Sequence, residues 1–503
     1  MQYAIELKGL TKAFGQVIAN SRIDLAVRHG EILALLGENG SGKTTLMNML
    51  SGLYHPDAGQ IVVSGRAVQL RSPHDAIALG IGMIHQHFKL VEALTVEENI
   101  LQGTKKRAGD PSEVIGELMR GYDLNVALDK RVYALSVGEK QTVEIIKVLY
   151  RGVRVLILDE PTAVLTPQET QKLFGILRRM REAGSAIIII THKLNEVMEI
   201  SDRVSILRKG RSIATVNTAE TTIRALTEMM VGRPVDLSIY RPEPAPAPTK
   251  LSIHHLVVPD EEGVPAIRDI SFEMLGGEIL GVAGVAGSGQ KELCEAIAGL
   301  ANVTGGAILY DKHNIVGLTP REIINRGISM SFIPEDRLGM GLVGSMGMVD
   351  NMMLKNYRQT TRTPLVSRKS GRALASRLVE ELGIIAPSIT TPVRQLSGGN
   401  VQKVLLGREI ASSPNILITA YPVRGLDINS SFAIYRMLNE QKQKGVAVLY
   451  IGEDLDVLIE LSDRIMVLCG GRITGVVDAR AVTKEQLGLM MTGMAQEEAM
   501  THV

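Results

Sequence analysis

A chain of 503 residues is too long for one ordinary hydrophobic core, so two domains of about 200–250 residues are expected. Hydrophobic residues make up 45% and charged residues 22%, which excludes a disordered chain. The 55 basic and 54 acidic side chains nearly cancel, which argues against the net basic footprint of a dedicated nucleic-acid binder.

The opening "MQYAIELKGL" has no basic region leading into an apolar stretch, so no signal peptide is expected. Apolar runs are strand-sized, far from the roughly 18 residues of a spanning helix. Cys294 and Cys469 lie far apart without Cys-x-x-Cys spacing and read as small hydrophobes of a reducing compartment. Together these features predict a cytoplasmic chain able to dock on a membrane partner.

In chain order, "EILALLG" predicts a strand buried on both faces, and "KTTLMNMLSGL" predicts the helix that follows it. Between them "GENGSGKT" fulfils G-x-x-x-x-G-K-[ST], with Gly37, Glu38, Asn39, Gly40, Ser41 and Gly42 forming the loop and Lys43, Thr44 and Thr45 opening the helix. Glycines let backbone N–H groups curl around phosphate oxygens, and the helix aims its positive end at them. Lys43 would reach the β- and γ-phosphates and Thr44 would bind Mg²⁺. Further on, "LSVGEKQ" (135–141) is a short loop opening into a helix, a second place where serine and N–H groups can clamp phosphate. The strand "VRVLILD" then ends in Asp159, placed to hold the metal shell, with Glu160 beside it to polarise water. "AIIII" (186–190) is another buried strand. Alternating strands and helices predict an α/β fold with a mostly parallel sheet.

At 241–250, "RPEPAPAPTK" carries four prolines in ten residues, which predicts a stiff, extended connector. Beyond it the pattern begins again. "GEILALLGENGSGKTTLMNMLSGL" at 30–53 matches "GEILGVAGVAGSGQKELCEAIAGL" at 277–300, so Gly284 stands 247 residues after Gly37. Ser397 of "LSGGNVQK" follows Ser136 by 261, and Ala420 follows Asp159 by the same interval. The expected organisation is therefore a domain over 1–240, a linker over 241–250 and a second domain over 251–503.

The second copy has lost its chemistry place by place. Gln290 stands for Lys43, Lys291 for Thr44, Ala420 for Asp159 and Tyr421 for Glu160. Efficient hydrolysis is not expected there, since a lost general base alone costs ~10²–10⁴ in rate, and carboxylates added near a triphosphate would repel it. The signatures vary the other way: the intact half has Val137 and Glu139, while the altered half has the cleaner Ser397, Gly398, Gly399 and Asn400.

With both halves in view, the chain resembles an ATP-binding cassette subunit carrying two fused cassettes. The resemblance implies tandem phosphate-loop NTPase domains, each with a mostly parallel sheet, a helical subdomain and a small antiparallel β part. It implies ATP and Mg²⁺ as the nucleotide and ion. Gln86 in "IHQHF" resembles the Q-loop glutamine that touches the metal, with Glu335 at the matching place. His192 in "IITHKLNE" resembles the switch histidine that contacts the γ-phosphate, with Glu453 opposite it. Phe14 stands where an aromatic stacks on adenine, although simple core packing explains it nearly as well. Cassettes of the family pair head to tail. Such pairing would bring Lys43, Thr44, Asp159, Glu160 and His192 to face Ser397–Asn400, giving one working and one resting site, and the same parts could also match between two chains.

Twin cassettes without membrane spans resemble the ATPases of sugar- and nucleoside-type importers. In these systems separate permease subunits carry the solute, delivered by an extracytoplasmic binding protein or lipoprotein, and the ATPase sits peripherally at the cytoplasmic face of the membrane. "MIHQHFKLVEALTVEENI" (83–100), "LSVGEKQTVEIIK" and "PTAVLTPQE" resemble the nucleoside branch, with a monosaccharide importer as the alternative. Soluble twin-cassette translation factors carry a long charged linker and two good sites, unlike this chain. "GMGLVGSMGMVDNMML" (339–354) holds five methionines, which suit either an adaptable docking groove or core filling. "SRKSGR" (367–372) reads as a solvated loop.

Overall fold

The structure is a computed structural model that describes residues 3–85, 88–104, 110–234, 236–244, 247–260, 262–326, 328–355 and 367–493. Gln86 therefore lies outside the described residues. The chain divides into two compact units, Met1–Asp236 and Leu237–Val503.

In unit 1, β1 (Tyr3–Phe14), β2 (Val17–Arg28), β4 (Ala58–Val63) and β5 (Arg66–Val68) form an antiparallel sheet in the order β2-β1-β4-β5. A second sheet has the order β10-β9-β3-β8-β7-β6, built from β3 (Ile32–Leu36), β6 (Ile81–Ile84), β7 (Val155–Asp159), β8 (Ala186–Ile190), β9 (Arg203–Arg208) and β10 (Arg211–Asn217). Only the β9–β10 pair is antiparallel. The continuous apolar runs of β3 and β8 are buried on both faces, as central parallel strands require. One core joins β3, β7 and β8 to the antiparallel sheet. Another packs the opposite face against helices Val96–Leu101, Pro111–Tyr122 and Val137–Tyr150. Local sequence sets where these helices start. Thr95 and Glu98, and Ser136 and Glu139, form reciprocal capping boxes, while Asp110 caps a helix opened by Pro111.

Unit 2 repeats the plan. An antiparallel sheet, β12-β11-β14-β15, is built from β11 (Thr249–Pro259), β12 (Pro265–Leu275), β14 (Gly305–Tyr310) and β15 (His313–Asn314). The larger sheet, β16-β17-β18-β13-β19-β20, is built from β13 (Ile279–Gly284), β16 (Met330–Ile333), β17 (Ile416–Ala420), β18 (Ala447–Ile451), β19 (Arg464–Cys469) and β20 (Arg472–Asp478). Each unit is thus a parallel-rich sheet with an antiparallel part and a helical region, the α/β fold expected of a phosphate-loop NTPase.

One local reading gains detail and another changes. The proline-rich segment is anchored at its start, since Arg241 donates to the carbonyls of Ile459 and Ser462. Buried Lys442 donates to the Pro242 carbonyl and to Asp463 at 2.6 Å. At its other end Thr249 and Lys250 already belong to β11. The expected loop "SRKSGR" instead enters a helix at Lys369 (Lys369–Glu381), whose apolar residues Ala375 and Leu378 reach the core. The methionines divide: Met348, Met352 and Met353 fill the core, while Met340 and Met346 stay exposed at 47% and 40%. Both cysteines are free, Cys294 buried and Cys469 half-buried. Among the described residues no helix is long and apolar enough to cross a membrane.

Candidate active site

β3 delivers the loop Gly37–Gly42 to the N-terminus of helix Lys43–Leu50. Two of its glycines are sterically required. A Cβ on Gly37 would lie 2.4 Å from both the Leu207 carbonyl and Ser41 Oγ, and one on Gly42 would lie 2.4 Å from the Ala19 carbonyl. Gly42 caps the helix at φ 99° with no side-chain hydrogen bond, and no acidic residue stands in the first turn. The helix N–H groups are therefore left for an external anion. Lys43 folds back, its Nζ donating to the carbonyls of Gly37 at 2.6 Å and Glu38 at 3.0 Å. Burial holds its ammonium below the usual lysine range, against the pull of Glu160, Asp159 and Glu38. Among the described residues Ser41 Oγ is buried without a hydrogen-bond partner, an orphaned polar atom in the loop. Asn39, Gly40 and Thr44 are exposed at the mouth, with Glu38 and Thr45 half-buried.

β7 carries Asp159 to the same end of the sheet. Burial, then the adjacent Glu160, push the Asp159 carboxyl above its usual range, while Lys43 pulls it down. Carboxylate and hydroxyl oxygens, as Asp159 and Thr44 carry, are hard donors that suit a divalent cation. Glu160 turns out of the strand in a left-handed conformation, φ 48°, its N–H donating to the Ile190 carbonyl at 2.8 Å. This aims its carboxylate at the residue two beyond β8. His192 Nδ1 donates to Glu160 Oε1 at 3.1 Å. That hydrogen bond is the main force holding Glu160 below the usual carboxylate range, against burial. The arrangement keeps a carboxylate ionised beside a lysine-lined phosphate loop, as activation of water requires. Phe14, at the end of β1, is 45% exposed, packs in a T-shaped pair with Tyr54 at 5.4 Å and has the Lys12 ammonium over its ring at 5.5 Å, so it does not fill the core.

In unit 2 the backbone persists while the chemistry changes. A Cβ on Gly284 would lie 2.7 Å from the Leu468 carbonyl, repeating the Gly37–Leu207 approach. Gly289 caps helix Gln290–Ile297 at φ 98°. Gln290, only 4% exposed, donates from Nε2 to the Val285 carbonyl at 3.1 Å, repeating the fold-back of Lys43 with a neutral amide. Tyr421 keeps the left-handed turn of Glu160 at φ 50°, and its N–H bonds the Ile451 carbonyl at 2.9 Å. Burial pushes its phenol up, so it stays protonated.

Sequence reading missed Arg424. Its guanidinium pairs with Glu335 through Nη1 and lies 3.3 Å from Glu453 through Nε. The expected repulsion from these two carboxylates is therefore countered by a cation that no motif flagged.

The signature turns also differ in structure. Ser136 accepts from the Glu139 N–H at 3.2 Å, and Glu139 accepts from the Ser136 N–H at 2.7 Å and pairs with Lys130 at 3.0 Å. Although burial works against it, these contacts hold the Glu139 carboxyl below its usual range. Glu139 thus takes the Ser136 N–H and places a negative charge in the first turn, where an anion would otherwise bind. Ser397 Oγ instead accepts from Asn400 Nδ2 at 2.8 Å, and Asn400 Oδ1 accepts from the Ile385 N–H at 2.9 Å. Helix Gly398–Ala411 has no side-chain cap on its backbone and no acidic residue in its first turn.

The family model for ABC transporters matches residues 21–163 and 267–422, one match in each unit. Among curated proteins, the guanosine import ATP-binding protein NupO of Bacillus subtilis is 42% identical, covering 99% of each chain. A glucose import ATP-binding protein of Haloferax volcanii is 39% identical, covering 97% of this chain and 96% of its own. The nucleoside import ATP-binding protein NupA of Lactococcus lactis is 40% identical, covering 97% of this chain and 98% of its own. Because the likeness runs the full length of both units and includes the phosphate loop and the β7 carboxylates, the chain belongs to the ABC transporter family and is an ATP-binding, ATP-hydrolysing subunit of its import systems.

Proposed function

We propose that this chain powers nucleoside uptake through separate integral-membrane permease subunits, from a peripheral position at the cytoplasmic face of the membrane. An extracytoplasmic solute-binding protein or lipoprotein delivers the solute, and no nucleic acid takes part. The nucleoside reading rests on the guanosine and nucleoside import relatives and on "MIHQHFKLVEALTVEENI". The glucose import relative keeps a monosaccharide as the alternative.

Hydrolysis belongs to unit 1, and the observation that carries this is the Glu160–His192 contact beside the Lys43 loop. ATP enters with its adenine on Phe14 and its phosphates in the N–H cradle of Gly37–Thr45. Lys43 leaves the Gly37 and Glu38 carbonyls for the β- and γ-phosphate oxygens. Thr44 and Asp159, with Gln86, would hold Mg²⁺, which neutralises charge on the phosphates. Glu160 orients water and accepts its proton as the water oxygen bonds the γ-phosphorus and the bond to the bridging oxygen breaks, releasing ADP and phosphate. His192 keeps Glu160 ionised and contacts the γ-phosphate. Head-to-tail pairing supplies Ser397, Gly398, Gly399 and Asn400 as the opposing clamp, so closure follows ATP binding and reopening follows hydrolysis.

Uptake of labelled nucleosides and labelled monosaccharides by intact cells tests the reading, comparing the chain with Glu160→Gln. The variant is expected to abolish nucleoside uptake and leave monosaccharide uptake intact. Loss of monosaccharide uptake alone would overturn the nucleoside assignment. Full uptake of both would overturn Glu160 as the base.

A further inference from the structure

Resting on the reading of unit 2 as a cassette that does not turn over, we infer that unit 2 holds a nucleoside triphosphate without a divalent metal, with the Arg424 guanidinium standing where unit 1 uses magnesium.

The phosphate cradle of unit 2 is preserved where backbone makes it. Gly284 passes the Leu468 carbonyl as Gly37 passes that of Leu207, and Gly289 repeats the left-handed cap of Gly42. Gln290 bonds the Val285 carbonyl as Lys43 bonds that of Glu38. A backbone cradle of this kind binds phosphate through N–H groups and survives side-chain change.

The metal's own ligands are what changed. Ala420 offers no oxygen where Asp159 stands, and Lys291 replaces the Thr44 hydroxyl with a cation. Two carboxylates remain beside Tyr421, Glu335 and Glu453, and both are engaged by Arg424. Those residues occupy the places matching Gln86 and His192, the positions assigned to the metal and the γ-phosphate. The guanidinium therefore lies between the two groups that would otherwise bracket a metal-bound phosphate. A magnesium ion entering there would find no oxygen at Ala420, an ammonium at Lys291 and both carboxylates already held by Arg424, so the residues of unit 2 do not fit it. Arginine suits the substitution, since it stays charged at any working pH and its planar fork can bond carboxylate and phosphate together. Arg424 occurs at the place of Ala163 in unit 1, so the cation is an addition peculiar to the altered copy. Tyr421, held protonated, gives a neutral donor where unit 1 has a base.

Photolabelling of the full chain with 8-azido-ATP, followed by mapping of the labelled peptide to either unit, tests the inference. In excess EDTA the label is expected to persist in unit 2 and fall in unit 1, and in magnesium both units are labelled. Arg424→Ala is expected to weaken unit 2 labelling in EDTA by about tenfold or more, the loss of charge-assisted hydrogen bonds to phosphate. Magnesium then recovers part of it, because Glu335 and Glu453 are released. Arg424→Lys keeps the charge and retains labelling without metal, which separates lost charge from lost folding. Absence of label from unit 2 in both conditions would overturn the inference. So would unit 2 labelling that needs magnesium in the unsubstituted chain, or Arg424→Ala labelling unchanged in EDTA. ATP turnover persisting in Glu160→Gln would instead overturn the underlying reading, whatever the labelling shows.

Discussion

Glu160 and Tyr421 occupy the same backbone turn, with φ 48° and 50° and matching bonds to the carbonyls of Ile190 and Ile451. A left-handed conformation is uncommon for such residues, and its survival after the carboxylate is gone shows that the turn serves the strand end as well as the chemistry. What separates the two is the partner at the next strand, His192 against Glu453. The His192 hydrogen bond is the largest influence lowering the Glu160 pKa, and burial opposes it. As the proposed base, Glu160 must be deprotonated to act, so turnover is expected to fall as pH drops through that pKa. Removing the histidine leaves burial unopposed by its bond, and the Glu160 pKa rises. His192→Ala is therefore expected to move the acidic limb of the kcat profile to higher pH, besides lowering kcat. An acidic limb that stays in place would mean that the histidine does not set the state of Glu160. Lys43, Asp159 and Glu160 are legible in sequence because each lies inside a contiguous motif. Arg424 was not, because its partners Glu335 and Glu453 lie 89 and 29 residues away and only the folded sheet brings them together.

The two signature helices make the same comparison at the scale of an element. Helix Val137–Tyr150 starts with a closed capping box, and helix Gly398–Ala411 starts open. The change from "LSGGN" to "LSVGE" thus exchanges an anion-ready N-terminus for a locally stable one. Glu139→Ala is expected to lower unit 1 stability by about 1 kcal/mol, the usual worth of a helix cap, seen as a lower melting temperature with ATP turnover retained. Ser397→Ala should do the reverse. Its hydroxyl accepts from the Asn400 amide and adds little to the helix, but turnover falls by about tenfold or more if it bonds the bound phosphates. Equal effects of both variants on turnover would show that the signatures are not divided in labour. Strands and helix starts were readable here because apolar runs and capping residues are local signals. The grip of helix Val137–Tyr150 on the chain beyond Gln86 was not. Buried Glu144 accepts from the Lys89 N–H at 2.8 Å, and buried Lys147 donates to its carbonyl at 3.2 Å, across 55 and 58 residues. The helix at Lys369 was missed for a related reason: a charged start hides the apolar face formed further along by Ala375 and Leu378.

For the whole molecule, the two units hold one backbone plan and two chemistries, so the loss in unit 2 is not a loss of fold. Gln290, Lys291, Ala420 and Tyr421 account for the missing lysine, metal ligands and base, yet they are not the whole difference. Arg424 clamps Glu335 and Glu453 into one ion-paired cluster where unit 1 has the Glu160–His192 pair. Returning the first four to the unit 1 residues, as Gln290→Lys, Lys291→Thr, Ala420→Asp and Tyr421→Glu, would restore the motifs in sequence. It would also set two new carboxylates beside Glu335 and Glu453, with Arg424 still bound to the older pair. Like charges so close cannot all ionise without cost. In a Glu160→Gln background, the fourfold change is therefore expected to leave ATP turnover at the level of Glu160→Gln alone. Adding Arg424→Ala, Glu335→Gln and Glu453→His, which rebuild the unit 1 surroundings, is the step at which turnover should rise, limited by the capped turn at Ser136 if the units pair head to tail. Turnover returning after the first four changes would show that the ionic cluster does not keep unit 2 at rest, and that the motif residues alone do.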